Sequence, residues 1–192
     1  EIRTPLNAIV GFSGLLQNTD DPVEKAKFVD IINENNDTLL RLLGDILDLS
    51  KIESGLLELH PEEFDFVQLY ESLFDMNKKR WANNEVVFEG VNPYSKCIVF
   101  LDISRLRQIW TNFLNNAIKY TAKGKIIMGY EYVSNGLKVY VKDTGRGIPD
   151  DKRNLVFQKF EKFDTFAKGT GLGLSISKAI VDQYNGKIGY ES

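Results

Sequence analysis

Along the start of the chain, Ile2, Leu6, Ile9 and Leu16 recur at three- and four-residue multiples. This spacing predicts an amphipathic helix from Glu1 to about Asn18. No Ser, Thr, Asp or Asn precedes Glu1 as a cap, so the helix reads as continuing from something longer. "NTDDPVE" then supplies a turn and a new start: Asp20 or Asp21 as cap, Pro22 at the first helical position, Glu24 in the first turn. A long second helix follows, from about Val23 to Ser54. Within it Ile32, Asn35, Leu39, Leu42, Ile46 and Leu49 step alternately by three and four, a heptad seam with one polar member. Leu40, Leu43 and Leu47 form a second apolar stripe beside it. A hairpin of two helices buries one stripe internally. The second calls for another copy of the hairpin, giving a dimeric four-helix bundle, or for packing on the rest of the same chain. The symmetric dimer is the economical solution.

After Gly55, a C-cap candidate, and Pro61, which blocks helix continuation, the pattern becomes mixed. "FDF", "VVFEG" and "CIVFLD" read as strands, and "KIIMGYEYV" and "LKVYVKD" as hairpin strands around "SNG". Helices are predicted over Val67 to about Trp81, Ile103 to Tyr120, and about Gly171 to Tyr184. The middle one carries Leu106, Ile109, Trp110, Phe113, Leu114 and Ala117 on one broad face. The expected class is α+β: an antiparallel helical hairpin over residues 1–59, a linker at 60–63, and an α/β sandwich over 64–192.

Composition narrows the class of function. The 192 residues are 43% hydrophobic and 27% charged, an ordinary globular balance. No apolar run is long enough to span a membrane, so any membrane link would run through segments outside this sequence. The single cysteine, Cys97, excludes an internal disulfide and reads as a core residue within "KCIVFL". Residues 1–59 hold 5 basic and 11 acidic side chains, a poor nucleic-acid surface; the remainder holds 19 and 16 and suits a small anion such as a nucleotide.

Three stretches carry candidate chemistry. In "VKDTGRGIP" a strand ends at Asp143, an acceptor suited to an exocyclic amine, and Gly145 and Gly147 leave backbone open to a ligand. In "KGTGLGLSISKAI" Gly169, Gly171 and Gly173 precede a helix whose free N–H groups favour an anion. The spacing is neither a P-loop nor a dinucleotide fingerprint. In "NFLNNAIKY" Asn112 and Asn116 share one helix face, extended by Lys119 and Tyr120; amide oxygens are hard ligands adequate for Mg²⁺. Taken singly, each is equally an Asp-Gly turn, a glycine-rich helix start or a polar helix edge.

Taken together and in their order along the chain, "NFLNNAIKY", "VKDTGRGIP" and "KGTGLGLSISKAI" resemble the N, G1 and G2 boxes of the sensor histidine kinases. "VFQKFEKFD" resembles that family's F box, and "EIRTPLNAI" its phospho-acceptor box with the first residue missing. The resemblance spans nearly the whole chain. It implies a dimerisation and phosphotransfer hairpin followed by an ATP-binding domain of the gyrase and MutL type, in the cytoplasmic part of a membrane-anchored sensor. Its cofactors would be ATP and Mg²⁺, and its partners a second copy through residues 1–59 and a response-regulator receiver domain.

By resemblance, the acceptor histidine stands directly before Glu1, and the family's last strands follow "GYES". His60, the only histidine present, reads as a solvated linker residue. Asp143 holds the adenine amine. Gly145, Gly147 and Ile148 line the base. Asn116 ligates Mg²⁺ with Asn112 in support, and Lys119 and Tyr120 face the phosphates. Gly169, Thr170, Gly171, Leu172 and Gly173 bring the helix start against them. Lys162 reaches the γ-phosphate where the family commonly has Arg, losing bidentate contact. Glu1 orients or deprotonates the acceptor ring, Thr4 serves dephosphorylation of the partner, and Pro5 bends the helix. Phe157 and Phe160 are expected in the core, Phe163 and Phe166 on a short flap near 164–169. Two other classes stay open: an ATPase of the gyrase or MutL kind, which uses Glu where this chain has Asn112, and a non-catalytic nucleotide-binding dimer module.

Overall fold

The structure is a computed structural model describing residues 2–81, 85–133, 136–161 and 170–192, with backbone alone at 79–81. Helices α1 (Arg3–Asn18) and α2 (Pro22–Glu53) form an antiparallel hairpin. Asp21 caps α2 by accepting the Val23 N–H at 2.8 Å, with Pro22 at the first helical position. Gly55 ends α2 at φ +69°, the left-handed conformation a helix stop requires. At the start of α1, Ile2 has helical dihedrals and makes no side-chain cap. Pro5 lies buried in the first described turn of α1, and Glu1, whose carbonyl the proline ring would meet in a bend, lies outside the described residues.

Within the hairpin Phe12 meets Phe28 at 5.6 Å between ring centres, and Leu42 is buried. The described residues of this chain do not cover the second stripe. Leu40, Leu43 and Leu47 are 59%, 44% and 63% exposed, alongside Leu6 and Val10 of α1.

Strand β1 (Glu62–Asp65) begins within the stretch expected as linker, because it pairs antiparallel with β3 (Ile98–Leu101). Helix α3 (Phe66–Trp81) follows directly. Strands β2 (Val86–Val91), β4 (Gly124–Val133) and β5 (Gly136–Asp143) make a mixed sheet in the order β2-β4-β5, the first pair parallel and the second antiparallel. Strand β4 alternates as a half-buried strand should: Ile126, Met128 and Tyr130 are buried, while Glu131 faces out to pair with Lys138 directly opposite.

The sheet is covered by α3, by α4 (Ile103–Tyr120) and by α5 (Gly173–Gln183). Trp110 is the largest fully buried side chain; Phe66 and Tyr70 stand edge-on to it, at 5.6 and 5.5 Å. Ile176 and Ile180 seat α5 with no exposed surface, each contributing about 1.5–3 kcal/mol of burial. Cys97 is buried in this core and His60 is exposed. Among the described residues no helix is long and apolar enough to cross a membrane.

Phe160 departs from expectation. It is 65% exposed, and Val156 takes the buried place. The cause is backbone: Phe160 has φ +64°, and its N–H donates to Gly171 O at 3.0 Å, so the chain reverses there and turns the ring out. Phe157 is half-buried beside Tyr190. Phe163 and Phe166 lie outside the described residues.

Candidate functional site

Helix α4 is the backbone of the site. Asp102 caps it, its Oδ1 accepting from the Ser104 N–H and hydroxyl and the Arg105 N–H. Its Oδ2 accepts the His60 N–H, which ties the segment after α2 to the same point. The far half of α4 carries Asn112, Asn116, Lys119 and Tyr120, all half-buried. Lys119 Nζ sits 5.0 Å from the centre of the Tyr120 ring, and the Arg146 guanidinium 4.7 Å from the same ring. Two cations against one aromatic ring make this end of α4 electropositive.

The loop after β5 folds back against that end. Asp143 Oδ1 accepts the Gly145 N–H at 2.9 Å and the Thr121 hydroxyl at 3.4 Å. The Arg146 N–H donates to Tyr120 O at 3.3 Å. A Cβ at Gly145 would stand 2.5 Å from Tyr120 O, so only glycine permits this approach. Gly147 has φ +69°, and the next N–H, of Ile148, donates to Ser192 Oγ. Asp143 itself is exposed.

The third segment is the start of α5. Gly171 takes φ +72°, and a Cβ there would collide with the Phe160 backbone at 2.7 Å. No side chain caps α5, so its first turn presents N–H groups and the positive dipole end. The Leu172 side chain is 1% exposed and packs in the core, and its N–H donates to Thr170 Oγ1. Asn112 joins this segment to α4: its Nδ2 donates to Gly173 O at 2.9 Å and to Ser177 Oγ at 3.2 Å.

These three segments fit magnesium nucleotide. The α4 face offers neutral amides and cations but no carboxylate, and the described residues hold no cluster of His, Cys, Asp or Glu able to bind a metal alone. An ion here would need phosphate oxygens to complete its charge and coordination, which is how Mg²⁺ is commonly held. The Gly145 and Gly147 loop provides exposed backbone for a planar base. Glu1, Lys162 and Gly169 lie outside the described residues. Thr4 is exposed on the first turn of α1.

Two family models match the chain. The His Kinase A (phospho-acceptor) domain covers residues 1–55, and the histidine kinase-, DNA gyrase B- and HSP90-like ATPase covers 101–192.

The chain belongs to the histidine kinases.

Its hairpin and α/β domain are the two domains of a histidine kinase catalytic core. It is 34% identical over its full length to the autoinducer 2 sensor kinase/phosphatase LuxQ of Vibrio vulnificus, of which it spans 24%. It is 36% identical to hybrid signal transduction histidine kinase L of Dictyostelium discoideum, spanning 12% of that protein. Among solved structures it resembles Acinetobacter baumannii histidine kinase AdeS (TM-score 0.68, 27% identity, 94% of this chain and 84% of that one). Full-length ShkA, solved with AMPPNP, follows at TM-score 0.67 and 29% identity over 94% of this chain and 38% of that one. Histidine kinase ThkA in complex with response regulator TrrA has TM-score 0.63 and 26% identity over 96% of this chain and 52% of that one.

In this histidine kinase the hairpin and the ATP-binding domain touch through polar contacts that local sequence patterns did not signal. Asp48 of α2 accepts from Arg105 Nη1 at 2.8 Å and Gln108 Nε2 at 2.7 Å. Asp45 accepts the Thr170 hydroxyl at 3.0 Å, Glu53 pairs with Lys159 at 2.7 Å, and Gln183 Nε2 donates to Leu57 O. Burial raises the Asp45 pKa above the usual carboxylate range, the Thr170 hydrogen bond and Arg41 opposing it and Asp48 adding to it. On a helix surface, Asp45 and Asp48 read only as a solvated face; nothing local names their partners.

Proposed function

We propose that the intact protein uses ATP to phosphorylate a histidine directly before Glu1 and passes that phosphoryl group to an aspartate of a response regulator. What supports the reading is one convergence: the amide and cation face of α4, the glycine turn after Asp143 and the uncapped start of α5 meet on one side of the ATP-binding domain. Magnesium nucleotide supplies the transferable phosphoryl group and neutralises its charge. Asp143 accepts the adenine amine, Asn116 offers an amide oxygen to the ion, and Lys119 and Tyr120 flank the phosphates. Gly147 and Ile148 line the base; Thr170, Gly171 and Gly173 carry the α5 start. Lys162 and Gly169 complete the phosphate side. Glu1 takes or holds the proton of the acceptor imidazole. Thr4, one turn along α1, serves phosphatase activity.

The exposed stripe Leu40, Leu43 and Leu47 is the face for a second copy, making the four-helix bundle on which the receiver domain docks. ThkA, solved with its regulator, and LuxQ, named for both kinase and phosphatase activity, are consistent with this. The sensor would be membrane-anchored through segments outside this sequence, with this core in the cytoplasm. Hydrolysis of the gyrase type is disfavoured by a specific contact: the Asn112 amide donates to a carbonyl and a hydroxyl, whereas a general base at that place would have to accept a proton.

The test is labelled ATP with protein that includes the residue before Glu1. The expected product is an acid-labile, base-stable phosphoprotein. Steady hydrolysis with no label on protein would refute the reading. Asp143→Asn retains an acceptor oxygen for the Gly145 N–H, so the fold persists, while ATP affinity falls by about tenfold or more. Unchanged affinity in calorimetry would remove the adenine assignment.

A further inference from the structure

Asn112, Gly173 and Ser177 form a closed triangle between α4 and α5. Asn112 Nδ2 donates to Gly173 O at 2.9 Å and to Ser177 Oγ at 3.2 Å, and Ser177 Oγ donates to Gly173 O at 2.8 Å. Ser177 has no exposed surface, so its hydroxyl meets only these partners. The third glycine of the Gly-x-Gly-x-Gly run takes its place from the same contact. A Cβ at Gly173 would lie 3.0 Å from both Cγ and Oδ1 of Asn112, a tight contact that would require the amide to shift by a few tenths of an ångström. Gly147 and Gly171, by contrast, are required by positive φ.

We propose that Asn112 and Ser177 are positioning residues: they clamp the first turn of α5 onto α4, and Asn112 acts on bound nucleotide through Gly173 rather than as a ligand of the metal. This rests on the nucleotide-binding reading above. The amide is specifically suited to the place. A carboxylate at 112 would turn an acceptor toward Gly173 O, and an aliphatic residue would leave that carbonyl and the Ser177 hydroxyl with fewer partners in a half-buried interface. The clamp holds the α5 N–H groups in register with the phosphates whether or not an ion is present. Its contribution is therefore independent of Mg²⁺.

The experiment is calorimetric titration of the chain with ADP, once with Mg²⁺ and once with EDTA. Asn112→Ala removes the donor and adds no charge beside the phosphates. It is expected to weaken ADP by about tenfold, by the same factor in both buffers. Ser177→Ala leaves the Asn112–Gly173 bond in place and is expected to weaken ADP by about threefold, again equally. It also decides the matter should the first variant not fold. A loss seen only with Mg²⁺, or no loss in either variant, would overturn the clamp while leaving the nucleotide site intact. Wild-type protein that binds no ADP in either buffer would overturn both.

Discussion

Asp48 is the residue whose removal most directly tests how the hairpin and the ATP-binding domain are held together. It projects from α2 into α4, where it accepts from Arg105 and Gln108, and the Asp48 and Arg105 side chains are only 14% and 18% exposed. Solvent screening, which reduces surface ion pairs to near nothing, is therefore weak here. A hydrogen bond to a charged group contributes about 1.5–3 kcal/mol, and Asp48→Ala removes two. Arg105 keeps Gln108 Oε1 at 2.9 Å, so it is not left without a partner. The net expected cost is about 3 kcal/mol, and about half that for Asp48→Asn, which keeps shape and one acceptor.

The assay is urea denaturation followed by two probes. Far-UV ellipticity is weighted toward the long helices α1 and α2. Fluorescence of Trp110, in a Trp81→Phe background, reports the buried core of the ATP-binding domain. In Asp48→Ala the ellipticity transition is expected to move to lower urea and to separate from the fluorescence transition, because a contact joining the two cooperative units is gone. A double-mutant cycle with Arg105→Ala isolates the pair and is expected to give a coupling of about 1–2 kcal/mol. Additivity within about 0.3 kcal/mol, with coincident transitions, would refute the view that this ion pair joins the domains.

Other outcomes follow from the same contacts. Hydrogen bonds from Ser104, His60 and Arg105 hold the Asp102 carboxyl below its usual range although burial opposes them. That stability is present above the unfolded pKa of about 3.9 and is lost as pH falls through the lower folded value, so Asp102→Asn should flatten acid-denaturation curves below about pH 4. Asp45 has the opposite sign. Its folded pKa is raised, so the folded state gains stability as pH falls through that value; Asp45→Asn, which still accepts from Thr170, should melt no lower than wild type at neutral pH and lose that acid-side gain. A Leu43→Glu, Leu47→Glu pair on the exposed stripe should convert a dimer to one chain by light scattering while helicity persists. A dimer unchanged by those charges would place the interface elsewhere.

How much of this was legible in the sequence depends on the distance over which each feature is decided. Helix α4 was readable to its end residues because its broad apolar face is local, and the structure adds the Asp102 cap at the end of the stretch read as a strand. The same holds for Asp21, Pro22 and Gly55 at the ends of α2, and for the alternation along β4. Features set by backbone handedness were not readable. Phe160 falls in a three-residue rhythm of phenylalanines that resembles a core stripe, yet its positive φ points it outward, and that φ is fixed by a bond to Gly171, eleven residues on.

The site divides along the same line. Glycines and amides marked which segments meet, since few other residues tolerate a Cβ-free approach such as Gly145 against Tyr120. What they touch was not marked. A Cβ at Gly173 would press on Asn112, and the Leu172 side chain packs in the core, two contacts that the glycine spacing does not name. Asp45, Asp48 and Ser177 sit at helix positions whose neighbours in sequence say only that they are polar, and their partners lie 57 to 125 residues away or on a face defined by another helix. A contact formed after two elements have packed leaves no periodic trace in either, so the parts of this kinase that couple one domain to the other are the parts a one-dimensional pattern is least able to carry.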